Sequence, residues 1–202
     1  MSTGRLEAFS DGVIAVAITL LVLNITVPPP PSPHLGHALG QRWPEYLAYV
    51  TSFLTIGIIW INHHVMISRL ARADHSILIL NLVLLLTVAV IPFGTSLMAT
   101  YLKQGQGDKL AAGVYSGIFL AMGLAFAALQ HQIMLHRAHL LKVQLSLERR
   151  RKILARMRTG LPPYAIATVI AAVSAYASVA ICAALAAFYA LPIASSPDAM
   201  AD

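Results

Sequence analysis

The residues of this 202-residue chain best placed to do chemistry stand near its amino terminus and again around position 60. Arg5-Leu6-Glu7-Ala8-Phe9-Ser10-Asp11-Gly12 puts a charged pair and a hydroxyl at the start of one long apolar segment, and Trp60-x-x-His63-His64 closes another. A carboxylate carried into an apolar medium is costly unless its charge is matched, so Asp11 calls for a partner, with Arg5 or a histidine of the second segment as candidates. Ser10 or Asp11 can equally serve as an ordinary cap that stabilises the helix dipole. Adjacent helical positions point to different faces, so His63 and His64 cannot readily share a metal ion. They suit hydrogen bonding in a packed setting, or a functional polar network.

Enzyme chemistry is not spelled out. The eight acidic residues are scattered, and no zinc helix, nucleophile elbow, phosphate loop or dinucleotide fingerprint is present. Gly105-Gln106-Gly107-Asp108 reads as a turn, and the single cysteine, Cys182, lies inside an apolar run. The sequence therefore predicts no cofactor and no metal site. No Asp, Glu, Lys or Arg falls in the middle of an apolar segment, which leaves Thr19, Thr55 and Thr87 as the mid-depth polar groups. Coupled pumps commonly place a carboxylate at that depth, so this inventory suits a passive pathway.

The elements that carry these residues follow from composition. Soluble domains hold about 25% charged residues. This chain has 11%, with 58% apolar residues and a mean hydropathy of +0.73. It cannot cover a water-facing surface and reads as an all-α membrane protein. A crossing helix needs roughly 20 apolar residues. Four segments qualify: 9–27, stopped by Pro28 to Pro31; 46–66; 77–98, which contains Pro92; and 110–135. The stretch 161–193 is too long for one upright span and too short for two full ones. A tilted helix or a hairpin breaking near Ser174 to Ser178 both fit its length. Of the 14 basic residues, 11 fall on alternate connections, which places the amino terminus and the segment 136–160 in the cytoplasm. No cleavable signal peptide is expected, because Asp11 interrupts the first apolar run.

The segment 136–160 interleaves arginines with aliphatic residues. It satisfies the positive-inside rule and also reads as an amphipathic surface helix attracted to anionic lipid. No aromatic residue is interleaved with the basic ones, so nucleic acid is not an expected partner. The Pro-rich loop reads as a spacer, and the tail after Pro192 as short, slightly acidic and unstructured. On the first helix Val16, Thr19, Leu20 and Leu23 share one face, while Ile14, Ile18, Leu21 and Ile25 occupy the opposite one. Both stripes read as packing surfaces on composition alone. Ala8, Gly12, Ala15 and Thr19 add a close-approach edge of the kind that associates helices in lipid.

Arg5-x-x-x-Phe9-Ser10-Asp11 and the apolar run after it resemble the signature first helix of the lysosomal-type potassium channels called transmembrane protein 175. The resemblance continues through Trp60-x-x-His63-His64, Asp74, Asn81 and Pro92-Phe93, and in the second half through Pro162-Pro163-Tyr164. It implies a single transmembrane channel domain over 1–202, with the hairpin reading supplying spans five and six at about 162–174 and 177–193. It further implies a homotetramer around a central pore in a bacterial cytoplasmic membrane, both termini inside. Potassium ions, further copies of the chain and membrane lipids are the implied partners.

By the same resemblance Val16, Thr19, Leu20 and Leu23 would face the ion path. No T-V-G-Y-G filter is present. The family usually has a bulkier isoleucine at the position of Val16, so the tightest point would shift to Leu20 or Leu23. Arg5, Phe9, Ser10, Asp11, Trp60, His63, His64, Asp74 and Asn81 would form the motif and its polar network, which sets helix position rather than binding ions. Rival readings are a proton-permeable channel or transporter using histidines as relay groups, and a non-conducting membrane scaffold.

Overall fold

The computed structural model describes residues 3–191, apart from the side chains of 156–158. The tail after Pro192 lies outside the described residues. The architecture is all-α. The elements are α1 (Thr3–Leu20, prolonged by a 3-10 turn Leu21–Asn24), α2 (Leu35–Gly40), α3 (Trp43–Ser68), α4 (His75–Tyr101), α5 (Asp108–His131, prolonged by a π turn Gln132–His136), α6 (Leu147–Arg158), α7 (Leu161–Ile170) and α8 (Ala175–Ala190). Among the described residues the only β pairing is an isolated bridge between Leu70 and Leu141.

Local chemistry sets the boundaries. Asp74 caps α4 by accepting from the Ile77 amide at 3.0 Å, Ser146 caps α6, and Ser174 caps α8 from the Ala177 amide at 3.2 Å. Pro44 opens α3, where its missing N–H is no loss. Gly107, at φ 79°, makes the left-handed turn into α5 with the Tyr101 ring close above it. At most ends the long helices overrun the predicted spans by one to six residues, since hydropathy marks the apolar part of a helix and not its polar ends, whereas α1 with its 3-10 turn stops at Asn24, short of the predicted end at Val27.

Among the described residues α1, α3, α4 and α5 are the four helices long and apolar enough to cross a membrane. α4 lies between α1, α3 and α5 and buries Leu84, Val88, Ile91 and Met98 among them. The seam is fixed by hydroxyls as well as by packing. Ser52 of α3 bonds Thr95 of α4 at 2.8 Å and Tyr115 of α5 at 3.0 Å, all three buried. Such bonds join helices in a medium that offers no water.

The described part of the last apolar stretch, 161–191, is a hairpin of α7 and α8. A methyl added to Gly113 would meet Ala171 at 3.7 Å, one on Gly117 would meet Thr168 at 3.9 Å, and one on Gly123 would press on Leu161. α7 therefore runs antiparallel to α5 on a glycine-lined groove. α8 returns beside it, with Tyr176 stacked on Trp43 at the far end, ring centroids 6.4 Å apart. The turn occupies 171–174, a little before the predicted break at Ser174 to Ser178, because the Ser174 hydroxyl starts α8. At about 1.5 Å per residue, α7 is roughly 15 Å long, half a hydrocarbon core.

Candidate functional site: the first helix and its polar supports

α1 turns one face inward. Leu6, Ser10, Ile14, Ala17 and Leu21 are buried against α3 and α4. The stripe predicted to matter points the other way: Val16 is 58% exposed, Leu20 44% and Leu23 72%, with Thr19 and Phe9 on the same side. Only 28% of the α1 span is buried inside the chain, against 39% for each of the other three long spans. The Thr19 hydroxyl donates to the Val16 carbonyl at 2.9 Å, which satisfies its proton and leaves its oxygen lone pairs facing outward.

Polar contacts hold both ends of this helix. At the basic end, Asn81 of α4 joins two helices in a buried chain. Its Nδ2 donates to Ser10 Oγ at 3.0 Å, and its Oδ1 lies 2.7 Å from His63 Nε2. Ser10 in turn donates to the Leu6 carbonyl at 2.8 Å. With both ends of the Asn81 amide so committed, His63 must donate through Nε2. Its Nδ1 is buried without a partner among the described residues. Ser10, His63 and Asn81 are fully buried.

Two further contacts step along α1 and α3 in antiparallel register. Trp60 Nε1 donates to Asp11 Oδ1 at 2.9 Å, and one turn nearer the basic end His64 Nδ1 meets Glu7 Oε1 at 2.7 Å. The partner of Asp11 is therefore the indole, neither Arg5 nor a histidine. Arg5 is exposed and joins none of these contacts.

Asp74 also stands apart from the network in which the sequence placed it. It caps α4 and pairs with Arg137 from the segment after α5. The Ile77 amide first, and Arg137 with it, hold the Asp74 carboxyl below the usual carboxylate range. A carboxylate whose pKa is depressed on folding stabilises the fold at neutral pH. That contribution is lost as pH falls below about 4 and through the folded pKa. In thermal unfolding between pH 7 and pH 3, Asp74→Asn is accordingly expected to lose less Tm than the unmodified chain. Equal losses would remove Asp74 as a source of acid sensitivity.

The other end of α1 has a clamp that sequence reasoning missed. Thr26 N donates to Glu45 Oε2 at 2.8 Å, Arg42 bridges Glu45 at 2.8 Å and also reaches the Thr26 hydroxyl, and Asn24 Nδ2 donates to the Pro92 carbonyl at 3.2 Å. A cavity of about 450 Å³ opens beside it, lined by Leu23, Glu45, Ser96 and Lys103 among others. Glu7, Asn24, Thr26, Arg42, Glu45 and Arg137 were not singled out. Only the Glu7–His64 pair had a signal, the matching four-residue spacings Glu7 to Asp11 and Trp60 to His64 on antiparallel helices. A helix tethered at both ends, with an outward stripe between, can present that stripe in a fixed position to a surface outside the chain.

Comparison with known proteins gives a consistent frame for this geometry. Residues 5–92 match the family described as Endosomal/lysosomal potassium channel TMEM175. A potassium channel of Streptomyces collinus is 53% identical over 128 residues, covering 63% of this chain and 62% of that one. A potassium channel of Chamaesiphon minutus is 50% identical over 127 residues, covering 61% and 62%. The match thus spans less than two thirds of these relatives' own length. The human endosomal/lysosomal proton channel TMEM175 is 30% identical over 174 residues, 82% of this chain and 34% of the human one. The crystal structure of a lysosomal potassium-selective channel TMEM175 homologue from Chamaesiphon minutus superposes with a TM-score of 0.84 at 40% identity, over 96% of this chain and 98% of that one. Because sequence and fold agree along nearly the whole length of both chains, this chain belongs to the TMEM175 family.

Proposed function

We propose that the chain is one subunit of a homotetrameric, passive, potassium-preferring channel whose ion path is enclosed by four copies of α1. The observation that carries this reading is the outward stripe of α1: among the four long helices it has the smallest share buried within its own chain. Its outer face also carries Ala8, Gly12 and Ala15, small residues that allow neighbouring helices to approach closely. In this reading residues 1–202 form one channel domain, with α7 and α8 counted as the fifth and sixth spans. The domain sits in a bacterial cytoplasmic membrane with both termini inside, as the charge bias suggests.

Rings of Val16, Leu20 and Leu23 would exclude water and narrow the path. Passage then favours the monovalent ion that sheds water at lower cost, potassium over sodium. The outward oxygens of Thr19 would supply replacement ligands, since selectivity without a carbonyl filter still needs oxygen to offset lost hydration. Ser10, Asp11, Trp60, His63, His64 and Asn81 would set the position of α1 and stay out of the path. The family is one of channels rather than an enzyme class.

The test is flux through the purified chain in liposomes under separate potassium, sodium and pH gradients. Potassium movement faster than sodium, and independent of the pH gradient, is the expected result. Proton movement without potassium would transfer the reading to a proton channel, the name its human relative carries. No flux of either would leave a membrane scaffold.

A further inference from the structure

The basic end of the molecule gathers positive charge in a way the positive-inside rule does not require. The loop after α3 is joined to the segment after the π turn by the bridge of Leu70 with Leu141. Ala71 N donates to the Leu140 carbonyl and Lys142 N to the Arg69 carbonyl, each at 2.8 Å. Leu70 and Leu141 are buried, at 0% and 5% exposure. The Lys142 N to Arg69 carbonyl bond sets the backbones of these two basic residues side by side. Like charges set opposite one another in this way destabilise the pairing.

A third cation reaches the same place from α6. Burial, and after it the Arg149 guanidinium, holds Arg69 below the ordinary arginine range. The nearby acids are already engaged, Asp74 by Arg137 and Glu148 by Lys152. Among the described residues none of Arg69, Lys142 and Arg149 has an acidic partner. Three cations gathered at one level of the chain without an acidic partner match an anion with several oxygens, and guanidinium groups match phosphate in two-point geometry.

The level in the membrane selects the source of that phosphate. Arg69 directly follows the last residue of the α3 span, which puts it at the depth of lipid headgroups. Next to Lys142, Val143 is 71% exposed, and Leu147 at the start of α6 is 47% exposed. Aliphatic side chains beside a basic cluster suit the boundary between headgroups and acyl chains. We propose that Arg69, Lys142 and Arg149 form a binding site for the phosphate of an anionic phospholipid headgroup, with Val143 and Leu147 entering the acyl boundary. The site rests on the bilayer placement of the helices and not on the ion path, so a failure of the flux experiment leaves it standing.

Thermal unfolding of the full chain in neutral detergent tests it. Phosphatidylglycerol is expected to raise Tm, while phosphatidylcholine and inorganic phosphate do not. Arg69→Gln and Arg149→Gln should each weaken the apparent affinity for phosphatidylglycerol about fivefold, the weight of one cation near an anionic surface. Lys109→Gln, which removes a charge at the opposite end of α5, should leave it unchanged. If Arg69→Gln does not fold, exposed Lys142→Gln carries the same expectation. Equal stabilisation by both lipids, or equal weakening by Lys109→Gln, overturns the site. Stabilisation by inorganic phosphate matching that of phosphatidylglycerol makes it a free-anion site and overturns the lipid assignment.

Discussion

Alanine at both Leu20 and Leu23 is expected to raise potassium flux through liposomes by about tenfold and to bring the potassium-to-sodium ratio toward one. The expectation follows from exposure and size. Both leucines stand on the outward face of α1, 44% and 72% exposed within the chain, so the substitutions remove little intrachain packing. If four copies enclose the path, truncation widens it and weakens water exclusion at the narrowest rings. A reduction of about 1.4 kcal/mol in the passage barrier is one factor of ten in rate, a modest demand on eight shortened side chains. Leu86→Ala supplies the control: Leu86 is 65% exposed but lies on α4. A general loosening of lipid-facing surface would raise flux in both variants, whereas a path along α1 responds only to the first. Unchanged flux in the Leu20/Leu23 variant would remove α1 from the ion path.

Composition could not choose between the two faces of α1, because Ile14 and Leu21 on one side and Leu20 and Leu23 on the other are chemically alike, and only the family resemblance favoured the second. Only the positions of α3 and α4 separate them, burying Ile14 and Leu21 and leaving the others outward. The four long helices were legible because their apolar runs exceed the length of a bilayer crossing. The turn at 171–174 was less so, since Ala171-Ala172-Val173 after α7 offers no glycine or proline to mark the stop. Ser10, His63 and Asn81 were expected together and lie together in a hydrogen-bonded chain. Asp74 was misplaced for a physical reason. Its partner Arg137 arrives only because a π turn with the Arg137 N to Gln132 O bond redirects the chain after α5, and the bridge at Leu70 ties that segment to the α3–α4 loop. Neither device has a residue pattern that announces it. The clamp at the far end of α1 was hidden likewise, because Thr26, Arg42 and Glu45 meet only through the path of the Pro-rich loop.

Asn81→Leu is expected to cause the largest loss of folding stability. Leucine keeps the branched heavy-atom outline of asparagine and is the bulkier of the two, so no cavity forms, and the double variant below separates lost hydrogen bonding from any overpacking. The substitution leaves the buried Nε2–H of His63 without an acceptor, while Nδ1 already lacks a partner among the described residues. Ser10 keeps its own bond to the Leu6 carbonyl and loses only the donor from Asn81. An unsatisfied buried polar group costs about 1–3 kcal/mol, and nearly all of it here falls on the imidazole. The double variant Asn81→Leu/His63→Leu should therefore recover most of the lost Tm, because replacing both partners by apolar groups of similar shape can be nearly neutral. A double variant no more stable than Asn81→Leu alone would show that the loss arises elsewhere. Flux through the recovered double variant then separates two roles for this chain of bonds. Wild-type flux means that the bonds serve folding alone. Altered flux in a stable protein means that they hold α1 at the position its outward stripe requires, which is the expected result, since Ser10 is the buried contact lying on the face directly behind that stripe.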